Sequence, residues 1–159
     1  MIFLNKKTLN PRNARSLAAV ADGTLVELKY VPDEVFSKKV LGNGVAIQIT
    51  SQEIVAPANG NIDMIYPHAF GITLYNGIQV LVHIGLNTVS LNGEGFQPIK
   101  GQGVKVKKGE TIIKLDKNLI ESKGYNLITM IVVTETNGYK FTFRNNEKVV
   151  AGKSVIAEF

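Results

Sequence analysis

The stretch Ala69-Phe70-Gly71-Ile72-Thr73-Leu74-Tyr75-Asn76-Gly77-Ile78-Gln79-Val80-Leu81-Val82-His83 sets two apolar runs on either side of Asn76-Gly77. Asn-Gly between such runs is a strong two-residue hairpin signal. Folded about it, Tyr75 is expected opposite Ile78, Thr73 opposite Val80, and Phe70 opposite His83. Opposed residues share a face of the sheet, and side chains alternate along a strand. His68, two residues before Phe70, is therefore expected on the same face as His83. The two would be diagonal neighbours with Cα atoms about 7–8 Å apart, within side-chain reach. They are the only two histidines of the chain. The register carries this expectation, because a three-residue loop would place them on opposite faces.

The same punctuation runs through the chain. Asp22-Gly23, Asn43-Gly44, Asn59-Gly60, Asn92-Gly93 and Asn137-Gly138 cut it into short apolar runs. Strands separated by turns at near-regular spacing predict an all-β sandwich or barrel. The expected strands are Ser16–Val20, Thr24–Leu28, Val45–Ile49, Glu53–Ala56, Ile62–Tyr66, Ala69–Tyr75 and Ile78–Ile84. They continue as Val104–Val106, Thr111–Leu115, Met130–Thr136, Tyr139–Phe143, Lys148–Val150 and Ser154–Ala157. Helix is scarce. One short helix is expected from an N-cap at Asp116 to Gly124, and one helical turn over Pro32–Phe36. Residues 1–15 read as a flexible arm, and 16–159 as one domain.

The 159 residues are enough for a real core, and 45% hydrophobic against 19% charged residues argues against disorder. There is no cysteine, so disulfides and thiolate chemistry are excluded. No run approaches the ~20 apolar residues of a membrane span. Met1 to Lys7 places its lysines after the apolar residues, the reverse of a secretion signal. The expected location is the cytoplasm, without membrane insertion. A net charge of +5 raises the question of nucleic acid. The lysines are dispersed, however, and no stripe interleaves them with aromatics, so a nucleic-acid partner is not expected.

Two imidazoles on one surface suggest chemistry. Neutral imidazole is a nucleophile, with an ordinary pKa of about 6.5. An attacking nitrogen needs its ring held still and its other nitrogen hydrogen-bonded, while a second imidazole can donate to an incoming anion. Zinc would need a third ligand, for which Asp33 or Glu94 is available. No His-x-His or His-Glu-x-x-His pattern supports it, and no metal or other cofactor is expected. Gly93-Glu94-Gly95-Phe96 lacks the ending of a phosphate loop and reads as a tight surface loop. Val104 to Ile113 reads as strand, turn, strand, like the lysine hairpin of biotinyl and lipoyl carriers. The residues that flank the carrier lysine are missing, so the likeness is one of shape. No Gly-x-Ser-x-Gly elbow is present.

Taken together, the residues resemble the glucose-type enzyme IIA component of the bacterial phosphoenolpyruvate-dependent sugar phosphotransferase system. The likeness runs from about Ala18 almost to the C-terminus. It is carried by Ala21-Asp22-Gly23-Thr24, Val31-Pro32-Asp33-Glu34-Val35-Phe36-Ser37, Val40 to Ile47 and Val55-Ala56-Pro57-Ala58-Asn59-Gly60. Its most specific pieces are His68-Ala69-Phe70-Gly71-Ile72 and Leu81-Val82-His83-Ile84-Gly85-Leu86-Asn87-Thr88-Val89, the latter continuing into Leu91 to Phe96.

The resemblance implies an antiparallel β sandwich/barrel hybrid with a few short helical turns. It implies that His83 accepts a phosphoryl group from the histidine-containing phosphocarrier protein and passes it to a cysteine of the sugar permease's IIB domain. His68 would steady the group and tune His83. Asp33, Val35, Phe36, Val40, Leu41, Tyr66, Leu81, Asn87 and Val89 match positions that the family uses for partner docking, and a monomer is the default. Two positions depart from the pattern. Asn87 stands where the family usually has aspartate, which should weaken pairing with a basic phosphocarrier face. Tyr66 stands where a threonine usually supports the acceptor ring, in a segment that reads as shortened. A regulatory docking module without phosphoryl relay and a metal-dependent hydrolase are the competing readings.

Overall fold

The loop at Asn76-Gly77 has three residues rather than two, and this shifts the expected register by one. The computed structural model describes residues 15–159. In it, strand β6 (Ala69–Leu74) pairs with β7 (Gln79–Ile84), Ala69 opposite His83, Phe70 opposite Val82 and Ile72 opposite Val80. Leu74 N–H donates to Ile78 O, and Gly77 N–H to Leu74 O, which leaves Tyr75, Asn76 and Gly77 as the loop. Gly77 takes a φ of 87°, the left-handed residue that closes a three-residue hairpin. The side chain of Asn76 accepts from Ile78 N–H. Phe70 is therefore not on the histidine face. It is fully buried, and Ala69 is the residue beside His83.

Before this hairpin lie β1 (Ser16–Ala18), β2 (Gly23–Glu27), a 3-10 turn (Leu28–Tyr30), α1 (Glu34–Ser37), β3 (Asn43–Ile49), β4 (Glu53–Val55) and β5 (Gly60–Tyr66). After it come a second 3-10 turn (Thr88–Leu91), β8 (Phe96–Pro98), β9 (Lys105–Val106), β10 (Thr111–Leu115) and α2 (Lys117–Ser122). The last elements are β11 (Thr129–Glu135), β12 (Thr142–Phe143), β13 (Lys148–Val149) and β14 (Val155–Glu158). Asp33 and Asp116 cap the two helices by accepting from Val35 and Leu119 N–H groups. The second 3-10 turn and β8 fall where no strand or helix was expected. Only Thr142 and Phe143 of the expected strand at Tyr139–Phe143 join a sheet. The expected arm lies outside the described residues except for Arg15, whose carbonyl accepts from Phe159 N–H.

All pairings are antiparallel. They form an open eight-stranded sheet, β13-β2-β3-β11-β7-β6-β5-β9, and two three-stranded sheets, β1-β14-β12 and β4-β10-β8. Among the described residues the structure is thus all-β with two short helices, and its sheets do not close into a barrel. The strands of the expected lysine hairpin part company: β9 pairs with β5, and β10 with β4 and β8.

The large sheet is buried on both faces along its middle. One face of β3, β7 and β11 contributes Val45, Ile47, Val80, Val82, Ile84, Ile131 and Val133 to the main core. The other face contributes Ala46, Met130 and Val132, which are covered by Leu28, Val31 and Phe36 from the segment around α1. Burying each of those larger covering side chains contributes about 1.5–3 kcal/mol. This smaller cluster holds the 28–36 segment against the sheet, and His83 stands at its edge.

Candidate functional site

His83 emerges on the second face of β7 because its neighbours Val82 and Ile84 point into the main core. Met130 of β11 stands opposite it on one side and Ala69 of β6 on the other. Phe36 packs on the ring, with centroids 5.1 Å apart. His83 is therefore half-buried, walled by apolar groups.

His68 reaches it by a route the sequence reading did not foresee. It lies in no strand. Tyr66 of β5 pairs with Ala69 of β6, so Pro67 and His68 form a two-residue turn between them. Proline suits the first of these positions because its φ is already fixed. The His68 carbonyl accepts from Ile84 N–H at 2.7 Å. The imidazoles meet edge to face, with centroids 5.1 Å apart and planes at 74°. The juxtaposition expected from a strand register thus arises instead from a turn.

The Nδ1 of His83 lies 3.0 Å from the Gly85 carbonyl. A carbonyl only accepts, so Nδ1 carries the proton and Nε2 keeps its lone pair. Gly85 has a φ of 84°, and a Cβ there would lie 2.5 Å from Thr88 Cγ2 and 3.1 Å from the Asn126 carbonyl. Only glycine suits this bend. Burial pushes the His83 pKa below the ordinary histidine value, and His68 pushes the same way. The Gly85 carbonyl and the Asp33 carboxylate oppose the shift without cancelling it. Burial also lowers His68. Both rings are thus held toward the neutral, nucleophilic form.

The remaining residues expected at the site differ in their exposure. Val35 on α1, then Val40 and Leu41 just beyond it, are exposed, Val40 at 69%. Tyr66 is 56% exposed and Val89 61%. Leu81 is half-buried on the histidine face of β7, and Asn87 is exposed with a left-handed φ of 59°. Phe36 differs from an exposed docking residue: at 5% exposure it lies under the His83 ring. Tyr66 does not support His83 through its hydroxyl. Its ring stacks on His68, with centroids 6.1 Å apart. Among the described residues, no group of three histidines, cysteines or carboxylates forms a metal-holding cluster, and Glu94 is paired with Lys123 at 3.0 Å. Residue-by-residue reading missed Gly85, Thr88 and Met130. A glycine two positions after a strand histidine was a usable signal for the first. Met130 depends on a long-range pairing that no local pattern encodes.

The family model described as phosphoenolpyruvate-dependent sugar phosphotransferase system, EIIA 1, matches residues 15–139. The chain is 37% identical to the PTS system glucose-specific EIIA component of Buchnera aphidicola subsp. Baizongia pistaciae, covering 97% of this chain and 93% of that protein. It is 40% identical to the protein of the same name from Haemophilus influenzae, covering 84% and 82%. Among solved structures, glucose permease IIA from Mycoplasma capricolum superposes with a TM-score of 0.82 at 34% identity, covering 89% of this chain and 94% of that one. Fold and relatives agree on one class, components of a sugar phosphotransferase system. The chain belongs to the EIIA 1 family of the phosphoenolpyruvate-dependent sugar phosphotransferase system.

Proposed function

We propose that this protein relays phosphoryl groups through His83. The observation that carries the reading is the Nδ1 contact with the Gly85 carbonyl, which leaves Nε2 as the free nucleophile beside a second imidazole. The Nε2 lone pair attacks the phosphorus of a phosphohistidine on the histidine-containing phosphocarrier protein. The donor's P–N bond breaks as the new P–N bond forms, and the donor imidazole leaves with its electron pair. In the second step a cysteine thiolate of a IIB domain attacks, a P–S bond forms, and His83 leaves as neutral imidazole.

Little covalent work falls to the protein in such a transfer, so positioning and charge stabilisation dominate. His68 donates an N–H to a phosphoryl oxygen during both steps. Phe36 and Met130 exclude water from one side of the ring. The exposed Val35, Val40, Leu41, Tyr66 and Val89, with Leu81, form an apolar rim onto which two partners dock in turn. Asp33 and Asn87 lie among its polar contacts. A shallow, half-buried acceptor suits this exchange, because a deep pocket would shut out a protein partner.

The names of the relatives and of the solved neighbour support service to a glucose permease in the cytoplasm. Among the described residues no helix is long and apolar enough to cross a membrane. Labelled phosphoenolpyruvate, enzyme I and the phosphocarrier test the relay. Label is expected on the wild type and none on His83→Ala. Undiminished label on that variant would overturn the assignment. Partner binding without any label would favour a regulatory module.

A further inference from the structure

Among the described residues two polar side chains are fully buried, Thr88 and Thr129, and both meet Ile84. Thr129 is the cross-strand partner of Ile84 and spends its hydroxyl on the Leu127 carbonyl. Thr88 instead donates its hydroxyl to the Ile84 carbonyl at 2.5 Å. That carbonyl shares a peptide plane with Gly85 N–H, which donates to the Ile128 carbonyl at 3.0 Å. The plane is therefore gripped at both ends. The next plane is gripped too: Leu86 N–H donates to the Asn126 carbonyl, and the Gly85 carbonyl accepts from His83 Nδ1. The Thr88 methyl lies against Gly85, in the space a Cβ on that residue would enter.

We infer that Thr88 is a positioning residue for phosphoryl transfer: through the Ile84–Gly85 peptide it sets the carbonyl that keeps the proton on His83 Nδ1 and the lone pair on Nε2. This rests on the reading of His83 as the acceptor. Without the hydroxyl, the buried Ile84 carbonyl loses its side-chain partner, and a buried acceptor left unpaired is costly. The peptide plane then turns toward another donor and carries the Gly85 carbonyl away from the ring. A His83 freed from that carbonyl shares its proton between both nitrogens. The Nε2–H form has no lone pair at Nε2 with which to attack phosphorus.

The test compares Thr88→Val, which keeps the shape and removes the hydroxyl, with Thr88→Ser, which keeps the hydroxyl. The His83 tautomer is read by long-range proton–nitrogen correlation on the full-length, nitrogen-15-labelled protein, and phosphoryl acceptance is timed with the phosphocarrier. The wild type is expected to hold the Nδ1–H form. T88V should show mixed tautomers and acceptance about tenfold slower, equivalent to ~1.4 kcal/mol in the barrier, with the KM for the donor unchanged. T88S should restore both. A folded T88V with the wild-type tautomer and rate would overturn the inference, as would a T88S variant with mixed tautomers. Should T88V fail to fold, T88S decides: the Nδ1–H form supports the inference and a mixture overturns it. The tautomer needs no phosphoryl donor to be seen. Failure of the acceptor reading is distinct, because it appears as label away from His83 in the wild type.

Discussion

Ile84 N–H donates to the His68 carbonyl at 2.7 Å, so the main chain itself ties the turn that carries one imidazole to the residue that follows the other. Together with the Ala69–His83 pairing, this bond fixes the backbones beneath both rings. Their 5.1 Å separation is therefore built into the hairpin edges and does not depend on long side chains finding each other. A site that must offer the same geometry to two successive partners gains from such rigidity.

His68 stands at the tip of a two-residue turn with its ring stacked on Tyr66 and edge-on to His83. Its expected work is to hold a phosphoryl oxygen in the transition state. His68→Ala is therefore expected to accept label in nearly full yield but to pass it on about 100-fold more slowly, the cost of one lost oxyanion donor. Rapid-quench measurement of transfer to a cognate IIB domain checks this. Equal onward rates would remove His68 from the mechanism.

Phe36 is buried between the α1 segment and the sheet while its ring packs on His83. Phe36→Ala should cost about 3–5 kcal/mol of stability through the cavity it leaves. The same change admits water to the imidazole. Because burial is the main cause of the lowered His83 pKa, the pKa should rise toward about 6.5. Urea unfolding measures the first effect and an NMR titration of His83 the second. A folded variant with an unmoved titration would show that another group desolvates the ring.

The shift in both histidines sets the sign of a pH effect. The folded state binds these protons less tightly than the unfolded chain. Below about pH 6.5 the unfolded state therefore holds more protons, and stability declines as the pH falls through the window beneath that value. Above it, the contribution is level. Urea midpoints between pH 8 and pH 5 for the wild type and the His68→Gln, His83→Gln double variant isolate the effect. The wild type should fall more steeply below pH 6.5, and parallel curves would contradict the shift.

Asn87 is exposed in a left-handed conformation that aspartate also tolerates. Asn87→Asp should therefore add a carboxylate to the docking face without straining the backbone. With a basic phosphocarrier face, association should speed up severalfold at low ionic strength, and the gain should vanish near 1 M salt, where screening acts within about 3 Å. Stopped-flow association at several salt concentrations measures this. A gain that persists at high salt would point to a changed contact and not to charge.

The architecture was legible because turn chemistry and alternation agree along most of the chain. Asn43-Gly44, Asn59-Gly60 and Asn137-Gly138 do fall near strand boundaries, and Val80, Val82 and Ile84 do point inward. The histidine pair was legible as a pair but not in its geometry. Two misreadings offset one another there. The loop Tyr75–Gly77 is one residue longer than expected, which alone would have put His68 and His83 on opposite faces. His68, however, leaves the strand for the turn with Pro67, where alternation no longer governs it. Phe36 reads as a docking residue from its family position, yet only the tertiary fold shows it closing over His83. Thr88 gives no local signal at all, since its hydroxyl serves a carbonyl turned by the bend at Gly85.

The most direct measurement is the phosphorus-31 NMR spectrum of the phosphorylated protein, which distinguishes phosphate on Nε2 of histidine from phosphate on Nδ1. Prepared with phosphoenolpyruvate, enzyme I and the phosphocarrier, the wild type should show a single Nε2-phosphohistidine signal that is missing in His83→Gln and retained in His68→Gln. A signal from Nδ1-phosphohistidine, or one that survives in His83→Gln, would contradict the account.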